Sequence, residues 1–386
     1  MSFTKKLIFT LIMVFFTLGL CYTGLEISVR FKSSEALDFK SRELQYRQAD
    51  FVFDHSFIPG AKAVCKTAEW DVPYTISSIG FRDREFSPEK PAGTFRILAL
   101  GDSYVEGYGV RAEDSFIKLF EKHLNQNPQQ KKYEVINGGI ASYSPLLEYL
   151  LLSQKAIDAV HPDLVMLVYD VGDLKDDYEY EKTVTFDDQG HPIRCAPYER
   201  AWSTNATAFQ RFMIRYSRAY VYLDNKLNKF VFKRQNRHKK FSDEYTDKVP
   251  HDSFIAYREG QEESVKVLWQ RNRKYLGMIA DLLKERHIRL VLVSYPYGFQ
   301  MDPEEWSEGR LHQGFKAHTV YPQPKVLEDI AEFANEKGVP FINLYQSFKD
   351  RYSFPVQYKF DGHLNQNGHR IMAEALYDQM SKLVIE

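Results

Sequence analysis

The chain has 386 residues, 44% hydrophobic and 27% charged, enough for one large domain or two ordinary ones with a sizeable core. Its formal net charge of −1 excludes a protein held to nucleic acid by bulk charge. Three cysteines (Cys21, Cys65 and Cys195) have no metal spacing, and there is no Walker loop or G-x-G-x-x-G, so neither metal nor cofactor is expected.

Lys5 and Lys6 precede an uncharged run from Leu7 to Leu25, close to the roughly 20 residues a spanning helix needs. A cleaved signal peptide has the same composition, but no A-x-A site follows, and bulky Leu20 before Cys21 argues against a lipoprotein. The leading lysines favour an inside N-terminus, an asymmetry blunted by Arg30 and Lys32. Residues 1–32 thus read as an uncleaved, single-pass signal anchor with the body outside the cytoplasm. Cys65 and Cys195 are then open either to pairing in an oxidising compartment or to plain burial.

Residues 33–93 read as a polar connector and lead-in, broken at Pro59-Gly60, Ser77-Ser78 and Ser87-Pro88. From there the pattern changes. FRILAL (95–100), YEVIN (133–137), DLVMLVYD (163–170), RLVLVSY (289–295) and VPFINL (339–344) are short apolar or β-branched runs that suit strands buried on both faces. Helical spacing lies between them: Ser115 to Asn125, Pro145 to Val160 with proline in its first turn, Ser264 to Arg286, Gln323 to Lys337 stopped by Gly338, and Asn365 to Leu383. The alternation predicts a three-layer α/β/α domain with a five-stranded parallel, flavodoxin-like sheet over 94–386.

Residues 178–262 interrupt it. A structureless loop of that length is improbable in a compact domain, so an inserted, mainly helical segment is expected. Within it Phe209, Phe212, Met213, Tyr216, Tyr220, Leu223, Leu227 and Phe230 recur at helical intervals, and residues 207–240 hold ten basic residues against Asp224. A core helix with a solvated basic face, a membrane-surface helix over 209–240 and a polyanion site all fit that pattern.

Chemistry centres on two places. Gly101-Asp102-Ser103 follows the first strand and precedes Gly107 and Gly109, a context in which a serine hydroxyl is exposed at a strand-to-helix turn. Asp361 and His363 stand two apart before the last helix, where a carboxylate can orient an imidazole toward a hydroxyl. Alone, either motif is as easily a turn or a helix cap. His369 reads as packing, Trp306, Tyr297 and Tyr143 as groove or core, and the Asn205 sequon as chance.

RILALGDSYVEGYGV, VINGGIASYSP, DLVMLVYDVGDLKDD and DGHLNQNGH, in this order, resemble the blocks of the SGNH/GDSL hydrolase superfamily. SSIGFRDREFSPEKPAGTFRIL and SYPYGFQMDPEEWSEGR resemble flanks of its membrane-anchored bacterial members. The resemblance implies Ser103 as nucleophile, His363 as general base, Asp361 as its orienting carboxylate and Asp102 as a turn-holding acid. It also implies three oxyanion donors: the Ser103 N–H, the N–H of Ser142 in the place of the family glycine, and a side-chain amide where this chain has Gly172. Asp173 cannot replace that amide while ionised. The expected function is a serine hydrolase of O-acyl esters on an envelope glycan or lipid in the bacterial inner membrane. The alternatives are an O-acetyltransferase of an envelope polysaccharide and a non-catalytic glycan- or membrane-binding module.

Overall fold

The computed structural model describes residues 3–32, 43, 45–67, 69–126, 131–197 and 252–385, and between these last two 209, 212, 213, 216–220, 222 and 223. Helix α1 (Phe3–Lys32) is long and apolar enough to cross a membrane over Phe3–Phe31, a property it shares with signal sequences. Two antiparallel pairs follow, β1 (Arg47–Asp50) with β2 (Asp54–Phe57) and β3 (Lys62–Lys66) with β4 (Asp71–Thr75).

The chain then enters the alternating part: β5 (Thr94–Leu100), α2 (Ser103–Glu106), α3 (Phe116–Leu124), β6 (Lys132–Asn137), α4 (Pro145–Leu151), α5 (Ile157–Val160), β7 (Leu164–Tyr169) and α6 (Asp173–Tyr180). A π-turn at Leu152–Ala156 joins α4 to α5, so the single helix expected there is continuous but locally widened. The hairpin β8 (Val184–Phe186) and β9 (Pro192–Cys195) opens the inserted segment, which therefore contains strand as well as helical residues. The remainder is α7 (Glu262–Glu285), β10 (Arg289–Ser294), α8 (Gly309–His312), α9 (Val326–Lys337), β11 (Phe341–Asn343), α10 (Tyr345–Lys349) and α11 (Gln366–Ile385).

The central sheet is wholly parallel in the order β11-β10-β7-β5-β6. Read along the chain this is the flavodoxin-like order, with the switch point beside β5 and its ligand crevice beyond the strands' carboxyl ends. Strand periodicity assigns the two faces. Leu98, Leu100, Val165 and Leu167 join α4, α7 and α9 in one apolar cluster, whereas Ile97, Ala99, Met166 and Val168 join α3 and α11 in the other. Ile97–Leu100 and Leu164–Val168 therefore read as unbroken apolar runs.

The lead-in is built into the domain. Tyr46, Phe57, Cys65, Trp70, Tyr74 and Phe81 are buried in the first cluster. Cys65 and Cys195 are both buried, Cys65 beneath the Tyr46 hydroxyl (3.6 Å) and Cys195 beside Thr183 Oγ1 (3.4 Å). The lead-in also delivers two buried guanidinium groups. Arg47 Nη2 donates to both carboxylate oxygens of Glu106 (2.6 and 2.5 Å), and both side chains are at most 1% exposed. Arg82 stacks over Tyr74 and donates to the carbonyls of Glu106 (3.0 Å), Gly107 (2.6 Å) and Val110 (2.6 Å). It thereby satisfies carbonyls that the four-residue helix α2 leaves open.

Removing one partner from a buried ion pair strands the other charge in the interior. Arg47→Ala is accordingly expected to destabilise the fold by about 3–5 kcal/mol, read as a lowered denaturant midpoint. Loss of well under 1 kcal/mol, the ordinary range for surface pairs, would contradict this account.

Candidate active site

The first half of the site is the turn that ends β5. Gly101 has φ 152°, and a Cβ there would fall 2.4 Å from Val105 Cγ2 and 2.9 Å from the Val168 carbonyl, so only glycine fits between strand and helix. Asp102 caps α2 by accepting the Tyr104 N–H (2.9 Å), the turn-holding role expected of it. Ser103 is then the first residue of α2, with its hydroxyl at the carboxyl edge of the sheet.

The second half is the loop before α11, clamped from both sides. Glu69 of the lead-in accepts the consecutive N–H groups of Lys359 (2.7 Å), Phe360 (3.1 Å) and Asp361 (2.9 Å). On the other side Glu305 accepts from Val356 (2.6 Å) and Gln357 (3.1 Å), and Trp306 Nε1 donates to the Phe360 carbonyl (3.0 Å). Gly362, at φ 88°, passes so close to the Trp306 ring that a Cβ would meet it at 2.6 Å. The Tyr104 hydroxyl ties the two halves together by donating to the Gly362 carbonyl (3.1 Å).

These clamps bring Ser103, His363 and Asp361 into one chain of hydrogen bonds. His363 Nε2 lies 2.8 Å from Ser103 Oγ, and Nδ1 is hydrogen-bonded to Asp361 Oδ1. The Asp361 carboxylate can only accept while ionised, so the proton sits on Nδ1 and Nε2 is free to accept from the serine. The His363 and Asp361 side chains are about a quarter exposed (24% and 23%), so the arrangement is open at one side.

Burial disfavours the imidazolium, but the Asp361 charge and hydrogen bond outweigh it and hold the His363 pKa above 6.5. Burial likewise raises Asp361, and the His363 charge and hydrogen bonds more than reverse that, leaving the carboxyl below its ordinary 3.8. His369 behaves oppositely. It is buried beside Phe116, accepts the Phe116 N–H (3.2 Å) and is pushed down to about 3 by burial, as a packing residue would be. Trp306, Tyr297 and Tyr143 are all buried, at most 5% exposed, and belong to the core.

Ser142 lies in the loop after β6. Its φ of 65° is a conformation suited to glycine, and the surroundings enforce it. Glu106 accepts the Ala141 N–H (2.7 Å), His55 Nε2 donates to the Ala141 carbonyl (2.8 Å), and the Tyr180 hydroxyl donates to the Ser142 carbonyl (2.8 Å). Among the described residues, neither the Ser103 nor the Ser142 backbone N–H is committed to a hydrogen bond.

Gly172 differs. Its N–H donates to Asp170 Oδ1, and a Cβ at 172 would sit 2.6 Å from that same oxygen. Asp170, 5% exposed, also accepts from the hydroxyls of Tyr295 and Tyr297 (2.7 Å to each oxygen from Tyr297). Burial raises its pKa against the pull of these donors. The asparagine amide that the resemblance implies is thus replaced by a carboxylate folded into the space a side chain at 172 would need. Glu69, Arg82, Tyr104 and Asp170 went unassigned in the sequence. Glu69, Arg82 and Tyr104 act through backbone groups of other segments, Asp170 through its own loop and two distant tyrosine hydroxyls, and no local pattern announces either.

Two outcomes test this description. A neutral imidazole is the form that can accept the serine proton, so kcat/KM should rise with pH through a midpoint above 6.5. Asp361→Asn should move that midpoint down and lower kcat on the order of 10⁴-fold; an unmoved pH profile would contradict the coupling. Gly172→Asn should lower both the thermal midpoint and the rate, because its Cβ collides with Asp170. A rate gain in that variant would show that the space is free.

The GDSL-like Lipase/Acylhydrolase family profile matches residues 99–371. No curated protein matches the chain. Among solved structures, an acetyl xylan esterase is 14% identical over 74% of this chain and 99% of its own, with a TM-score of 0.38. A GDSL-like lipase from Bacteroides thetaiotaomicron is 13% identical over 75% and 88%, with a TM-score of 0.35. A member of the lipolytic protein G-D-S-L family from Veillonella parvula is 12% identical over 75% and 99%, also at 0.35. With the profile spanning most of the chain, from the last residues of β5 into α11, this protein belongs to the GDSL-like lipase/acylhydrolase family and is an ester-hydrolysing enzyme.

Proposed function

We propose that the protein hydrolyses O-acyl esters through an acyl-enzyme on Ser103, with His363 as general base and Asp361 as its orienting carboxylate. The observation that carries this is the Ser103 Oγ–His363 Nε2 distance of 2.8 Å, with Nδ1 held by Asp361. Oγ attacks the ester carbonyl while Nε2 takes its proton. The imidazolium formed is stabilised by Asp361 and returns the proton to the leaving alkoxide, so that the alcohol departs and the acyl group stays on Oγ. Water then adds to the acyl carbon with His363 again as base, and the carboxylic acid leaves from a regenerated Ser103.

The negative oxygen of both tetrahedral intermediates is assigned to the uncommitted N–H groups of Ser103 and Ser142. With Gly172 bonded to Asp170, the hole has two backbone donors. The loss of one donor typically costs about 2.7–4 kcal/mol of transition-state stabilisation. A slow esterase on small activated esters is the consequence, with binding of the rest of the natural substrate supplying the missing stabilisation.

Helix α1 supports a location at the bacterial inner membrane as a single-pass signal anchor, with the catalytic domain outside the cytoplasm. Substrates within reach of a domain held there are acylated glycans or lipids of the envelope.

The expected result is fluorophosphonate labelling of the wild-type chain and turnover of p-nitrophenyl acetate. Ser103→Ala should abolish labelling and lower kcat on the order of 10⁶-fold with an unchanged thermal midpoint. A well-folded wild-type protein that neither labels nor turns over would overturn the proposal.

A further inference from the structure

Residues 207–240 hold ten basic residues and a stripe of rings that the proposed mechanism does not use. The described part of this segment returns to α1. Tyr22, Glu26 and Arg30, at i, i+4 and i+8, lie on one face of that helix. The Tyr22 hydroxyl is 2.5 Å from Ser217 Oγ, and Arg30 Nη2 donates to the Tyr216 carbonyl (3.0 Å). Glu26 accepts from Ser217 Oγ (2.7 Å) and from the N–H groups of Arg218 (3.1 Å) and Ala219 (2.8 Å). Ser217 in turn accepts the Tyr220 N–H (3.1 Å), so the carboxylate and the serine together satisfy the start of a helical turn. Ser217 and Ala219 are buried against α1.

Four large side chains of this segment are exposed beside the contact. Phe209 (67%), Phe212 (57%), Tyr216 (55%) and Leu223 (46%) are exposed, and the first three recur at i, i+3 and i+7 on one helix face. The height of the contact along α1 identifies what covers that face. The uncharged run ends at Leu25, and Glu26 follows it directly. At 1.5 Å per residue, the docked turn sits within one helical turn of the end of the apolar run, the depth at which aromatic rings and basic side chains meet acyl chains and headgroups. Residues 7–20 of α1 expose the same kind of apolar surface.

We propose that Phe209, Phe212 and Tyr216 dip into the acyl region of an anionic bilayer, as part of an interfacial segment pinned to the anchor by Glu26 through Ser217, Arg218 and Ala219. The proposal rests on reading α1 as a membrane span. It gives Glu26 a role that a bare anchor lacks. A carboxylate at the end of an apolar span is costly unless paired, and here it fixes where the insertion meets the bilayer.

The test uses the full chain in vesicles of phosphatidylcholine and phosphatidylglycerol. An environment-sensitive fluorophore is placed on Phe212→Cys in a Cys21→Ala background, the other two cysteines being buried. The expected result is blue-shifted emission, quenched by lipids spin-labelled near the headgroup, with several-fold less quenching in Glu26→Ala and weaker quenching in pure phosphatidylcholine. Water-like emission without lipid quenching would overturn it. So would energy transfer between protomers in place of lipid quenching, since a second copy would then cover the face. In the unsubstituted chain, a label on native Cys21 should be quenched by deeply spin-labelled lipid. Loss of that signal would sink the span itself, whereas quenching at Cys21 with none at position 212 would sink only the interfacial segment.

Discussion

The hydrogen bond between Ser103 and His363, made by residues 260 apart in sequence, is the constraint on which the rest of the structure depends. Two short loops from opposite ends of the domain must meet at one edge of the sheet. A parallel sheet provides that edge, because every strand delivers its following loop to the same side. What it does not provide is sub-ångström placement, and the clamps around the loops supply that. Arg82 gathers three carbonyls around the serine turn, and Glu69 and Glu305 gather N–H groups along the histidine loop. All three are charged groups bonded to backbone, a stronger class of hydrogen bond than neutral pairs.

The lead-in before β5 consequently belongs to the active site in a physical sense. Arg47 pairs with Glu106, Glu106 accepts the Ala141 N–H, and Ala141 precedes Ser142. His55 reaches the same loop from β2. The strained φ of Ser142 persists because these contacts over-determine it. The cost is accepted on one side of the site, while on the other the family amide is given up. At Gly172 the backbone N–H turns to Asp170, whose carboxylate is buried under two tyrosine hydroxyls. In the proposed mechanism, electrostatic stabilisation of the oxyanion then rests on backbone donors alone, and a neighbouring buried carboxylate makes their alignment matter more.

Much of the fold was legible in the sequence because a doubly covered parallel sheet leaves a strong trace. Leu164–Tyr169 is buried at every position and reads as an unbroken apolar run, and Gly338 stops α9 in the left-handed conformation that glycine favours. The candidate triad was legible only as separate fragments, joined by the order of four motifs. The lead-in misled because its buried groups are charged. Arg47 and Arg82 look like a solvated surface until their partners more than 20 residues away are known. The hairpin Val184–Cys195 escaped notice for a different reason: its strands are three and four residues long and half exposed, too short for a period of two to show.

The inserted segment docks on α1 through Glu26, and the interfacial contact proposed above would hold the enzyme to the bilayer at two places rather than through a free tether. The proposed mechanism nonetheless turns on one atom. The most direct measurement is mass spectrometry of the protein quenched with acid during turnover of p-nitrophenyl acetate, followed by digestion and sequencing of the acylated peptide. The account predicts a single acetyl group on Ser103, accumulating in wild type and absent from His363→Ala. An acetyl group on another residue, or turnover with no covalent intermediate even under rapid quench, would contradict it.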